Sequence, residues 1–345
     1  MSAVDPSRVQ CVRHRARLSV KDFAECCDVD VRTVRNWETD GAPEARISVI
    51  ARSTGASEAF LRRPPLELLD DDALFFRARR RTSRTRIKEA TALSAIGADF
   101  SGAVGELLAI REPDVPADLS SPTPRDAARD LRLAWGLGTG VAPNLVQLSE
   151  LHGIRVLGLP DPEEDVDAFS FWGADGRPFI LLGRSTTAER TRFDLAHELG
   201  HLVMHAGAAV ATDRQLEHDA NQFAAELLVP ERTLRAVAPP SPSIQEVLAL
   251  KDRFGVSAQA MAYALRDCGR LSEWLLRQTL SELSGRGYLT GEPGSTLRME
   301  RSKVYDALAR TLRNRGTTGA RWARELGQSS SDVSAFTFGQ VLVAA

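Results

Sequence analysis

The chain has 345 residues, 43% hydrophobic and 26% charged, with a formal net charge of −2. This length is too great for one small core, so two or three domains are expected, and the composition excludes a disordered or fibrous chain. No apolar run reaches the ~18 residues of a membrane span and MSAVDPSRVQ has no signal-peptide core; the four cysteines (Cys11, Cys26, Cys27, Cys268) lack C-x-x-C spacing, so a cytoplasmic protein with reduced thiols and no membrane partner is expected.

In residues 1–64, Ser19 is a good N-cap, and Val20, Phe23, Ala24 and Cys27 follow at helical spacing. Asp28-Val29-Asp30 is a short turn with its own N-cap at Asp30. A second short helix follows from Val31 to Glu38, with Val31, Val34 and Trp37 on one face and Arg32, Thr33, Arg35 and Asn36 on the other. Two short helices, a tight turn and a polar, basic second helix outline a helix-turn-helix. The run LSVKDFAECCDVDVRTVRNWETDG resembles the repressor-type helix-turn-helix of the Xre family, with Asp28 where that family usually has a left-handed Gly. Asp tolerates that backbone region better than most residues. Arg32, Thr33 and Asn36 are expected at base edges of operator DNA and Arg35 at a phosphate, because Arg pairs with guanine and Asn with adenine. The plainer alternative is a packing module without a DNA role. Helix-turn-helix proteins usually read two half-sites, so a homodimer is expected.

Residues 65–112 form a basic connector and a long helix. Pro64-Pro65 ends the first domain. Phe75 and Phe76 are anchors, followed by Arg77, Arg79, Arg80, Arg81, Arg84, Arg86 and Lys88 against the single acid Glu89. These cations read as phosphate contacts, or as a solvated helix start or docking surface. From Ile87 to about Ile110 the chain reads as one helix. Residues 112–125 are a Pro- and Ser-rich loop, and a helix resumes near Ala127 to Trp135.

Residues 113–237 hold the chemistry. Pro143 to Leu151 reads as a helix, and Ile154–Leu157, Asp167–Trp172 and Pro178–Leu182 as strands. A small antiparallel sheet is therefore expected, whose exposed edge can take an extended peptide. Phe169, Phe171 and Trp172 face that groove or form sheet core, with sheet core favoured for at least one. A helix from about Thr187 to His205 then carries His197-Glu198-Leu199-Gly200-His201. Only six histidines occur in the chain. Two of them four apart on a helix lie ~6 Å apart on one face and can share a metal. Glu198 is rotated ~100° and reaches a metal-bound water without being a ligand. This is the H-E-x-x-H arrangement of zinc peptidases. Gly200 costs ~1 kcal/mol in a helix, which suggests close passage of another backbone or of substrate.

A catalytic zinc usually takes three protein ligands. His205, Asp213, Glu217, His218 and Asp219 are the downstream candidates. His205 lies ~12 Å from His197 along the helix and suits the same ion poorly. Glu217, near the start of a new helix ending at Pro230, completes a His₂Glu set. RFDLAHELGHLVMH followed by LEHDANQFAAELLVP resembles the ImmA/IrrE family of bacterial metallopeptidases. DAFSFW, LKDRFGVSAQAMAYAL and LSGRGYLTGEP also resemble members, and beyond about Arg301 the likeness is loose. The resemblance implies Glu217 as the third zinc ligand, since it opens the family's E-x-x-A stretch. Zinc lowers the pKa of its water to ~7, and Glu198 takes the water proton and returns it to the leaving amine. His205, His218 and Arg190 are candidate electrophiles for the oxyanion, and Asp194 and Asp219 candidate acids behind the histidines.

Residues 238–345 read as helical. Ile244–Phe254, Ala258–Asp267 and Glu273–Leu283 follow N-cap residues Ser243, Ser257 and Ser272. Two further short helices are expected after residue 302, broken at Ser329-Ser330-Ser331. The expected fold is mainly α with a small antiparallel sheet (α+β): helix-turn-helix, zincin-like domain, and a helical region for sensing, packing or dimerisation. The residues suggest a DNA-binding regulator with a zinc-dependent peptidase domain. By resemblance, that domain cleaves a repressor-like protein in phage immunity or a stress response. The competing reading is a non-proteolytic transcription factor or antitoxin, whose peptidase fold senses metal or ligand or docks a partner such as a toxin.

Overall fold

The computed structural model describes residues 3–69, 75–76, 83–116, 119, 121–160, 168–183, 186–205 and 213–341. β1 (Ala3–Val4) and α1 (Pro6–Arg15) come first, then α2 (Val20–Cys26) and α3 (Val31–Asp40). Ser19 caps α2 in a capping box, and the Asp30 carboxylate caps α3 by accepting from the Thr33 amide. Asp28 stands between them at φ +52°, the left-handed position expected there. Trp37 packs edge-on to Phe23, ring centroids 6.4 Å apart. Arg13 grips Glu38 at 2.5 and 3.1 Å. β2 (Ala42–Pro43) pairs with β1, and α4 (Ile47–Thr54) and α5 (Glu58–Leu61) complete this region.

β3 (Phe75–Phe76) and the 22-residue α6 (Arg84–Gly105) follow. Arg77, Arg79, Arg80 and Arg81 of the basic run lie outside the described residues. Arg86 pairs with Glu89, which also receives Arg15 and Arg17. From Glu89 to Gly97 every residue of α6 is buried, the pattern of a helix packed on all sides.

Next come α7 (Pro124–Ala134), α8 (Leu145–Leu151), β4 (Arg155–Gly158), β5 (Ala168–Trp172) and β6 (Pro178–Leu182). Asp167, expected to start the second strand, lies outside the described residues. The helices α9 (Ala188–Met204), α10 (Asp213–Leu228), α11 (Glu231–Val237), α12 (Ile244–Phe254), α13 (Ala258–Asp267) and α14 (Glu273–Gly285) follow. Ser243, Ser257 and Ser272 cap α12, α13 and α14 as expected. The chain continues as α15 (Lys303–Asn314), α16 (Gly319–Glu325) and α17 (Ser330–Phe336). The tail thus forms three helices, one more than expected. The expected break at the serine run falls between α16 and α17, where the Ser329 side chain caps α17.

The α+β class holds, but the sheet is mixed rather than antiparallel. Its order is β3-β5-β6-β4. β5 runs antiparallel to β6, as a hairpin dictates, with Ser170 opposite Ile180. β4 skips its sequence neighbour β5 and pairs on the far side of β6, so it runs parallel, Val156 opposite Ile180. Alternate residues enter two different cores. Leu157, Phe169, Phe171, Phe179 and Leu181 join a core built with α1–α6 and α15–α17. Val156, Ala168, Ile180 and Leu182 join a second core with α7–α13. Phe169 and Phe171 are therefore sheet core. Trp172 is half-buried and donates its indole N–H to the Leu202 carbonyl at 3.3 Å.

The tail docks on α6 and on the N-terminal helices. Phe100 of α6 meets Tyr305, Trp322 and Phe336 at centroid distances of 6.3, 5.7 and 5.3 Å. Ser57 donates to the Gly327 carbonyl. Gly327 has φ +68°, and a Cβ there would overlap the Phe60 amide nitrogen. Gly316, at φ +66°, has open space around it. Gly316→Ala should therefore cost only the left-handed backbone penalty of ~1–2 kcal/mol. Gly327→Ala should cost at least about 2 kcal/mol more, through loss of tail docking. Urea unfolding of the two variants measures this, and equal losses would refute the close approach as the reason for Gly327.

Candidate metal centre

α9 starts at Thr187, whose side chain accepts from the Arg190 amide. Its apolar side, Leu195, Ala196, Leu199, Leu202 and Val203, is buried in the second core. That leaves His197, Glu198 and His201 on the faces toward α10 and β5, each no more than 2% exposed. The helix of Glu217 lies against α9. At Gly200 a Cβ would come 3.0 Å from Phe223 Cδ1 and 3.3 Å from Ala220 Cα, so the glycine is required by close passage of α10.

Three side chains converge. His197 Nε2 and His201 Nε2 lie 3.1 Å apart, and each is 3.5 Å from one Glu217 carboxylate oxygen. One ligand atom from each lies within 4.8 Å of the others. Four ligands at ~2.0–2.1 Å from a tetrahedral zinc stand ~3.3 Å from one another. The observed separations fit that donor set, and the set fits a divalent metal.

The far sides of both rings are engaged. His197 Nδ1 lies 3.2 Å from Asn221 Oδ1, and His201 Nδ1 lies 2.9 Å from His205 Nδ1. With a metal on the two Nε2 atoms, each Nδ1 would carry the proton and donate it. His205 accepts only when neutral. Burial, with the neighbouring His201 and His197, lowers its pKa to about 4 and keeps it so. His205 is thus a support for a ligand rather than a ligand. Asn221 and His205 occupy the supporting places expected for Asp194 and Asp219. Instead Asp194 pairs with Arg190, and Asp219 accepts from Gln215. Of the three electrophile candidates, His205 sits behind His201, His218 contacts Gln222 on the exposed side of α10, and Arg190 holds Asp194.

Glu198 is buried against β5. Ser170 Oγ donates to its Oε2 at 2.6 Å. Burial raises the Glu198 pKa to about 7, against the opposing pull of His201 and the Ser170 hydrogen bond. Burial also opposes ionisation of Glu217, but its hydrogen bonds to both histidines win and bring it down to about 2. The two carboxyls are therefore separated: Glu217 is held in its ionised form, and Glu198 is pushed toward neutral pH. Ser170 was not foreseen, although it is the one hydroxyl among Phe169, Phe171 and Trp172 and alternation puts it on the face opposite the phenylalanines. Asn221 was missed too, and its signal was a position one turn after Glu217 on the same helix face.

A cavity of about 850 Å³ lies behind His197, on the Asn221 side of its ring. Asn221 and Phe193 line it beside His197, with Leu228, Val256, Tyr263 and Tyr288 around it. The proposed DNA-contacting residues lie elsewhere, on α3. Arg32, Arg35 and Asn36 are exposed and Thr33 is half-buried, while Val34 and Trp37 are buried beneath them.

Residues 149–266 match the family model of Peptidase_M78, the IrrE N-terminal-like domain. The match contains His197, Glu198, His201 and Glu217, so the chain carries this domain. No curated protein matches the chain.

Partners behind metal-bound histidines typically contribute 10–100-fold in metal affinity. Asn221→Ala should weaken zinc binding by about that factor and leave the fold intact. Competition with a chromophoric chelator measures it, and an unchanged affinity would remove Asn221 from the site.

Proposed function

We propose that this protein is a DNA-binding regulator whose Peptidase_M78 domain is a zinc-dependent peptidase acting on a repressor-like protein. The observation that carries the peptidase reading is the convergence of His197, His201 and Glu217 beside a buried carboxyl of raised pKa. When bound there, zinc would acidify a water and polarise a peptide carbonyl. Glu198 takes the proton from the attacking water and passes it to the leaving amine nitrogen. Ser170 fixes the carboxylate in place for both transfers, and the dry surroundings strengthen its basicity. Asn221 and His205 hold the two imidazoles with Nε2 inward.

The DNA-binding part of the proposal rests on α2, α3 and the left-handed Asp28 between them, with Arg32, Thr33, Arg35 and Asn36 directed outward. This outline supports a helix-turn-helix in which Arg32, Thr33 and Asn36 read base edges and Arg35 a phosphate. A cytoplasmic homodimer on a two-fold operator follows from that reading. A second reading, a regulator that uses the same centre as a metal sensor or docking module without turnover, is favoured by the strand that covers β5 beside the centre.

Glu198→Gln should lower peptide-bond cleavage by 10²–10⁴-fold and keep zinc bound. Zinc content and cleavage of candidate repressors in vitro report this. Cleavage at the parental rate would rule out the mechanism, and promoter output unaffected by the substitution would favour the second reading. Arg32→Ala and Asn36→Ala should each cost ~1–3 kcal/mol in operator affinity if they read bases. Unchanged binding at low and moderate salt would dismiss α3 as the reading helix.

A further inference from the structure

The edge of β5 beside the metal group carries a strand from elsewhere in the chain. β3 pairs with β5 in antiparallel register, Phe75 opposite Ser170 and Phe76 opposite Phe169. Ser170 is the residue whose hydroxyl holds Glu198 at 2.6 Å. Neighbouring strands lie ~4.8 Å apart, so the Phe75 backbone sits one strand spacing from the residue that positions the candidate base. The other edge of β5 is taken by β6 along its whole length, from Ala168 to Trp172. Only the β3 side can receive an incoming peptide.

Extended peptides bind such edges through main-chain hydrogen bonds. β3 covers two residues of a strand that runs from Ala168 to Trp172. Because β3 belongs to the same chain, it competes for this edge at an effective concentration of order mM against any peptide in solution.

We propose that Phe75–Phe76 is a built-in occupant of the peptide-binding edge of β5. The chain covers this edge in cis, and a protein substrate reaches the metal group by displacing β3 with an extended segment that pairs along Ala168–Trp172. The substrate class is thus a segment able to become a strand, recognised chiefly through its main chain. The word substrate rests on the peptidase reading, whereas occupation of the edge does not.

The test uses the full chain carrying Glu198→Gln, without added zinc, so that it is independent of turnover. The probe is a fluorescein-labelled synthetic peptide of residues 70–80, DDDALFFRARR. The parent keeps its native Phe75 and Phe76, and the variant adds Phe75→Pro and Phe76→Pro, which remove the strand's amide donors. The variant should bind the peptide at least about 10-fold more tightly by fluorescence anisotropy. Amide hydrogen exchange at residues 168–172 should speed up in the variant and slow again when peptide is added. Equal affinities, or exchange unchanged at residues 168–172, would overturn the proposal. If the double variant fails to fold by circular dichroism, Phe76→Pro alone is read by the same two measurements. A zinc-dependent break between Phe75 and Phe76 in the protein with intact Glu198, found by mass spectrometry, would also overturn it. The segment would then be a cleavage site rather than a cover. Loss of peptidase activity without any of these results would count against the peptidase reading alone.

Discussion

Helices α9 and α10 touch at Gly200, where any side chain would press on Phe223 and on the Ala220 backbone. A helical glycine costs ~1 kcal/mol relative to alanine, and here it shortens the distance between two helix axes. Glu217 and Asn221 lie one turn apart on α10, on either side of that contact. At this separation Glu217 reaches both imidazoles and Asn221 reaches the back of one. The same close contact thus accompanies both approaches of α10 to the histidines, that of Glu217 and that of Asn221.

The sheet imposes a second constraint. Its residues alternate between two cores, so Ser170 faces Glu198 only because Phe169 and Phe171 face α6 and the tail. A slip of one residue would send the hydroxyl into the wrong core and phenylalanines into the metal site. The N-terminal helices, α6 and the tail thus hold the register of the strand that positions the base. Gly158 makes the same point at the end of β4, where a Cβ would overlap the Ala335 carbonyl. The packing of α17 on the sheet leaves no room for anything larger.

Much of the centre was legible because it is local. The spacing of His197, Glu198 and His201 follows from helix geometry alone, whereas Glu217 stood out among the downstream candidates through the resemblance of its E-x-x-A stretch. The caps at Ser19, Asp30, Ser243, Ser257 and Ser272 and the left-handed Asp28 were legible for the same reason. What could not be read depends on distant pairings. The parallel placement of β4 beside β6, the addition of β3 to β5 and the docking of Phe336 and Trp322 on Phe100 join residues far apart in sequence. Periodicity carries no information about such partners. His205 shows the limit well. Its spacing correctly argued against a shared ion, but its contact with His201 depends on how both rings turn in a buried site.

The frame of α9 extends past the matched domain. Arg192 donates to the carbonyls of Ala142 and Pro143 and to Glu300. Lys251 sits between Glu189 at 3.3 Å and Glu292 at 3.1 Å, and all three side chains are nearly buried. Removing Lys251 would leave two buried carboxylates without their cation, a loss of about 3–5 kcal/mol. Glu292 and Glu300 lie beyond residue 266, where the family match ends. Glu300 holds the helix ahead of His197 directly through Arg192, and Glu292 reaches it through Lys251 and Glu189. A helix turns ~100° per residue, so a slight rotation of α9 would carry both Nε2 atoms away from Glu217. The segment after the domain is therefore part of what aims the ligands, and the centre takes its geometry from the whole chain.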